Sequence, residues 1–311
     1  MKVLNAVAVA LTAAGGLAAS AAAMPSGFSD WSPATRVEAA PGTDPAFNGP
    51  ALDGCPFIAR DDLTLYMAST RPGGLGGIDI WVARRERPDA PWGAPENVGA
   101  PVNSPANDFC PTIDRNDHTL FFVSNRGGGC GGADIYVTRS RPDGWDDPQN
   151  LGCDVNSAAD EASPSPLPEP GSGKVLYFSS VRPGGFAADA AGAATGDSDL
   201  YVSRRQDGAY QAPELVPGAN SAFEDGQPNL RRDGREIFFF SNRPGTLGLA
   251  DIYAASRATA SDPWSEPFNL GPAVNSANGA ETRPSLAWDG ETLFFGSTRP
   301  VPCQPSDRVV A

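Results

Sequence analysis

A carboxylate stands three residues before a proline at five places in the chain: Asp53 and Pro56, Asp108 and Pro111, Glu161 and Pro164, Asp225 and Pro228, Glu281 and Pro284. Acids repeated in this way can hold a cation, receive a cationic ligand or, taken in pairs, serve as acid and base in glycan cleavage. An arginine recurs downstream of each one, at Arg71, Arg126, Arg182, Arg243 and Arg299. If the segment between acid and arginine is a hairpin, its centre falls at Asp62, Asp117, Gly234 or Gly290, each in a polar turn, and the acid lies about opposite its own arginine. The expectation is structural pairing of Asp53, Asp108, Glu161, Asp225 and Glu281 with these arginines. Catalysis by two or three of the same acids is the alternative, and burial decides how much each pair matters.

A second acidic series, Asp79, Asp134, Asp199, Asp251 and Asp307, follows Gly-rich loops such as Gly73-Gly74-Leu75-Gly76-Gly77. Capping of these turns, or a second contact with the same arginines, is the expected role. If both hold, each unit carries an acid–Arg–acid triad. The loops do not continue as Gly-Lys-Ser/Thr and do not open a helix, so they imply neither a phosphate site nor any other cofactor. His118, the one histidine, falls in a predicted turn away from the Gly-rich loops, which speaks against Ser-His-Asp or Cys-His chemistry. No Cys-x-x-Cys pair suggests zinc. Of five cysteines, Cys130 and Cys153 are the preferred disulfide, Cys55 and Cys110 the next, and Cys303 is left over.

These residues belong to a repeat. Ser69-Thr-Arg-Pro-Gly-Gly-Leu-Gly-Gly-Ile-Asp-Ile-Trp-Val82 returns as Ser124-Asn-Arg-Gly-Gly-Gly-Cys-Gly-Gly-Ala-Asp-Ile-Tyr-Val137, and five copies can be traced. Each unit offers an acid-and-proline strand, a polar turn, an apolar strand, the Gly-rich loop, an Asp-led strand, and a strand opening at Trp31, Trp92, Trp145, Tyr210 or Trp264. A connector with Asn48, Asn103, Asn156, Asn220 or Asn275 follows. Four-stranded units in tandem bury their apolar faces as propeller blades. The fifth unit stops at Ala311 without its Trp strand, whereas Phe28 to Pro33 is a Trp strand without a unit. The sequence therefore predicts an all-β, five-bladed propeller closed by its N-terminal strand, with repeats near 48–104, 105–157, 158–221, 222–276, and 277–311 completed by 28–47.

The Ser-x-Arg, Gly and Asp-Ile-Tyr elements resemble the WD-like propeller repeats of the TolB-like family over nearly all of residues 24–311. That resemblance implies a periplasmic binding or scaffold part, or an accessory domain. The sequence differs from TolB itself in having no separate N-terminal α/β domain and five units instead of six.

The 311 residues include 37 acidic and 23 basic side chains, a net charge of −14, and 35 Gly with 31 Pro. Turn-rich composition excludes a helical bundle, and the charge excludes nucleic acid as a partner. Residues 1–23 read as a signal peptide, with Lys2, an apolar stretch from Ala6 to Leu17 and Ala21-Ala22-Ala23 before the cleavage point. No later segment has the length of a membrane span. The expectation is a periplasmic or extracellular monomer that binds a protein or glycan through its loop face and channel mouth. A carbohydrate-active hydrolase and a divalent-cation-stabilised module are the alternatives. An insertion at Ala187 to Gly196 sets the third unit apart.

Overall fold

Short apolar runs flanked by Gly, Asp and Asn leave room for strands of six to nine residues and little helix. A computed structural model of the chain describes residues 6–11, 31–114, 118–169, 173–186 and 197–300, and it is all-β apart from one short 3₁₀ turn at Val37–Ala39. The strands form five antiparallel sheets in a propeller arrangement. The first sheet contains Asp53–Ile58, Thr64–Ser69, Asp79–Arg84 and Glu96–Asn97; the second, Asp108–Ile113, Thr119–Ser124 and Asp134–Arg141 with Gly144–Trp145 and Gln149–Asn150. The third has Glu161–Glu169, Gly173–Ser180 and Asp199–Gln206 with Ala209–Tyr210 and Glu214–Leu215; the fourth, Asp225–Leu230, Glu236–Ser241, Asp251–Ser256 and Phe268–Asn269. The outermost strands are two-residue pieces because Pro95, Pro148, Pro213 and Pro267 interrupt them, and proline cannot donate to a ladder.

The fifth sheet runs Glu281–Leu286, Thr292–Ser297, Ala6–Leu11, Thr35–Arg36. Its third strand differs from expectation. The place assigned to Asp307–Ala311, which lies outside the described residues, is filled by Ala6–Leu11, with Ala6 opposite Ser297 and Leu11 opposite Thr292. An Ala-Val-Ala-Val-Ala-Leu run suits a strand as well as the apolar part of a leader. The expected Trp strand is present as an extended segment from Trp31, whose regular pairing is confined to Thr35–Arg36.

Apolar faces pack between successive sheets. Ile80 and Val102 meet Leu120 and Phe122, Ile135 meets Leu176 and Phe178, and Leu200 meets Ile237 and Phe239. Phe238 and Ile252 meet Leu293, Phe295 and Trp31, while Phe294 and Val37 pack against Leu65, Met67 and Trp81. The five acid-led strands also contact one another in cyclic order, Glu281–Leu286 touching Asp53–Ile58.

The hairpin register is two residues off the expected one. Asp53 pairs with Ser69, Asp108 with Ser124, Glu161 with Ser180, Asp225 with Ser241 and Glu281 with Ser297. A bulge in each acid-led strand at the residue before its proline accounts for one residue of this offset. Cys55, Cys110, Ser163, Gln227 and Arg283 all take φ between 47° and 57°. This left-handed conformation inserts an unpaired residue and shifts everything beyond it.

Candidate functional site

Each acid-led strand begins where a connector from the preceding sheet arrives, so the first carboxylate is buried between the two. All five of these carboxylates are fully buried. Arg71 reaches Asp53 at 2.7 Å, Arg126 reaches Asp108 at 2.6 Å, Arg182 reaches Glu161 at 2.9 Å, Arg243 reaches Asp225 at 2.5 Å, and Arg299 reaches Glu281 at 3.2 Å. The arginines lie beyond the ladder and fold back. In each, Nε donates to the serine opposite the acid, as Arg126 does to Ser124 at 2.9 Å.

The remaining acceptor capacity of these acids is occupied by the connector. Asp108 Oδ2 accepts from the Ser104 amide at 2.6 Å and its hydroxyl at 2.7 Å; Ser157, Ser221 and Ser276 serve Glu161, Asp225 and Glu281 likewise. Asp53 accepts from the Gly49 amide at 3.0 Å. The guanidinium groups donate further to connector carbonyls and lie over aromatic rings, Arg126 against Phe122 and Tyr136 at 5.2 Å each. With its lone pairs engaged inside the fold, this ring holds sheets together and has no free carboxylate to offer a substrate.

The second acidic series does not complete acid–Arg–acid triads. Among the described residues, Asp79, Asp134, Asp199 and Asp251 form no ion pair with the arginines and instead cap the Gly-rich loops. Asp79 accepts from the Leu75 and Gly76 amides, and a side chain at Gly74 would collide with its Oδ2. An asparagine from the outermost strand adds a donor: Asn97 to Asp79 at 2.9 Å, Asn150 to Asp134 at 2.9 Å, Asn269 to Asp251 at 2.7 Å. Asp307 lies outside the described residues.

The third sheet breaks this pattern. Leu215 pairs with Tyr201 where Asn97 pairs with Trp81, so Asp199 has lost its amide donor. Among the described residues it accepts only from the Phe186 amide, at 2.9 Å. Burial, opposed by that amide and assisted by Asp225 and Asp197, pushes the Asp199 carboxyl up to about 6. Burial also raises Glu224, with Asp197 and Asp225 contributing, and it pushes the Tyr201 phenol up to about 12, next through Asp199. The Tyr201 hydroxyl is buried without a hydrogen-bond partner. Phe186 and Phe223, on the loops leading to Asp199 and Asp225, are 55% and 41% exposed. Leu75 and Leu247, at the positions matching Phe186 in the first and fourth sheets, are exposed too.

The other singled-out residues have structural places. Cys130 is bonded to Cys153 and Cys55 to Cys110; Cys303, Asp117 and the insertion at 187–196 lie outside the described residues. Asn103, Asn156, Asn220 and Asn275 each clip a connector to an Asp-led strand, as Asn103 does through the Ile80 amide and carbonyl, both at 2.8 Å. His118 is exposed beside Ser140. Among the described residues no cluster of three His, Cys, Asp or Glu side chains is placed to share a metal ion, and no helix is long and apolar enough to cross a membrane. Sequence reasoning missed the site around Asp199. Its signal was Leu215 in the slot held by Asn97, Asn150 and Asn269.

Neither a family model nor a curated protein matches the sequence. Solved structures do. An α-L-arabinofuranosidase from Lactobacillus brevis is similar at TM-score 0.55 and 14% identity, over 84% of this chain and 87% of that one. An endo-arabinase from Bacteroides thetaiotaomicron is similar at TM-score 0.51 and 16% identity, over 81% and 95%. A TolB-like propeller from Agrobacterium tumefaciens has TM-score 0.48 and 13% identity, over 96% and 99%. At these identities the likeness is one of fold.

Proposed function

We propose that the chain is a five-bladed propeller, sealed where its N-terminal segment joins the last sheet, that engages a saccharide on its loop face between the third and fourth sheets. The observation that carries this reading is the break in repetition at Asp199. A carboxyl released from its asparagine, an unpartnered tyrosine hydroxyl and two exposed phenylalanine rings are a set suited to sugars, which offer hydroxyls to the polar groups and C–H faces to the rings. Two similar solved structures bear the names α-L-arabinofuranosidase and endo-arabinase, which supports a saccharide over a peptide. Removal of the leader expected at residues 1–23 would take Ala6–Leu11 out of the fifth sheet and leave its place to the Asp307–Ala311 strand that the repeat calls for; that form would act in the periplasm or beyond, where disulfides persist.

Hydrolysis is the second reading, and the fold comparisons favour it over a passive scaffold. It moves from the five arginine-bound acids to Asp199, whose value of about 6 suits a general acid near neutral pH, with Glu224 as the second carboxyl. Affinity electrophoresis in arabinan and xylan gels, with reducing-sugar release measured in parallel, tests both. Retardation that is lost in Phe186→Ala and Phe223→Ala supports the binding site, and release that is lost in Asp199→Asn with retardation kept supports hydrolysis. Free migration of the wild type in every glycan gel would refute the saccharide reading.

A further inference from the structure

The five residues before the repeated prolines line the propeller channel together with those prolines and Phe57, Thr112, Asn229 and Ser285. Four of the five are accounted for. Cys55 and Cys110 are bonded to one another, Gln227 Oε1 accepts from the Arg283 amide at 3.0 Å, and Ser163 is small and neutral. Arg283 is the exception, a cation where the other sheets carry Cys, Cys, Ser and Gln.

Nothing among the described residues neutralises it. Every first-series acid is taken by the arginine of its own sheet, and Arg283 forms no ion pair. Its Nε is shut off from solvent with no acceptor. Its Nη1 lies close to the backbone at Gly54, where an added Cβ would sit 3.0 Å away. Burial alone pushes the guanidinium down from the ordinary arginine value, and no carboxylate acts against that. Ser285, two residues along the same strand and lining the same channel, has a buried hydroxyl that is also without a partner. The half-buried guanidinium, with its Nε shut off from solvent, and the idle buried hydroxyl both leave donors without an acceptor. The channel offers about 30 Å³ there, room for a single small species and too little for a sugar or a peptide carboxylate.

We infer that the channel binds one small inorganic anion, of the size and charge of chloride, held by the Arg283 guanidinium with the Ser285 hydroxyl as a second donor. The site is independent of the loop-face saccharide proposal, since it lies along the channel and involves none of Phe186, Asp199, Tyr201 or Phe223. The anion would act as the missing counter-charge, so its binding stabilises the folded state.

The test uses the wild type and Arg283→Met. Thermal melting in sodium chloride against sodium gluconate at equal ionic strength should show the wild type higher in chloride by about 2–4 °C, and the variant indifferent to the exchange. Crystals of the wild type grown in sodium bromide should give an anomalous peak in the channel within contact of Arg283, a result that does not depend on the variant folding. Equal melting in both salts together with a channel empty of bromide overturns the inference, as does a variant that keeps the full chloride response.

Discussion

Replacing Arg126 with methionine tests the account of the buried ring most directly. The arginine side chain is 17% exposed and its Asp108 partner fully buried, at 2.6 Å. Methionine keeps the stem that packs on Phe122 and Tyr136 but removes the charge, the bond to Ser124 and the donors to Pro101 and Val102. Removing one partner of a buried pair costs about 3–5 kcal/mol. Asp108 retains the two Ser104 donors, so the lower end applies, about 3 kcal/mol, which lowers the melting temperature by roughly 6–12 °C. If an uncompensated charge is the cause, Asp108→Asn added to Arg126→Met restores part of the loss. Differential scanning calorimetry of both single variants, the double variant and the wild type gives the cycle. A single variant melting within about 2 °C of wild type, or a double variant no better than Arg126→Met, would refute the reasoning.

Three further outcomes are expected. Asp199 is held at about 6 in the folded protein, above its ordinary 3.8, so its contribution to stability is full below about pH 4 and lost as pH rises through 6. The melting temperature of Asp199→Asn relative to wild type should therefore increase between pH 4 and 7.5, and a difference that stays constant contradicts the shift. Leu215→Asn should restore the missing donor and return Asp199 toward the ordinary carboxylate range; carboxyl titration by NMR reads this directly, and an unmoved titration would mean the lost amide is not the cause. Serine at both Cys130 and Cys153, 23 residues apart, should cost about 3 kcal/mol by loop entropy, and serine at Cys55 and Cys110, 55 apart, about 4 kcal/mol. Denaturant unfolding that places the two double variants in the opposite order would count against that model.

The repeat made the sheet class, the strand content and the acid–arginine partners legible, because five copies of one pattern average out local ambiguity. Register was not legible. It depends on a left-handed residue before each proline, and Cys, Ser, Gln and Arg in that position give no compositional hint of positive φ. The role of the second acids was half legible. Turn capping follows from Gly-rich neighbours, but the donors that satisfy Asp79 and Asp251 come from the outermost strand, a contact that spacing alone does not reveal. The consequence of Leu215 was hidden for the same reason. Ala6–Leu11 supports two readings, since alternating Ala and Val satisfies the apolar requirement of a leader and the shape requirement of a strand at once.

The arginines fasten across sheet boundaries. Arg126 in the second sheet grips Pro101 and Val102 at the end of the first sheet's connector, Arg182 grips Val155, Arg243 grips Ala219, and Arg71 grips Ala46 and Phe47 in the N-terminal segment. Each bolt thus belongs to two neighbours. Loosening one connector strips acceptors from the sheet after it, so damage at one point spreads to the next. Limited proteolysis should accordingly show intact chain giving way to small peptides, without the ladder of multi-repeat fragments that an open-ended array sheds as its terminal units fray.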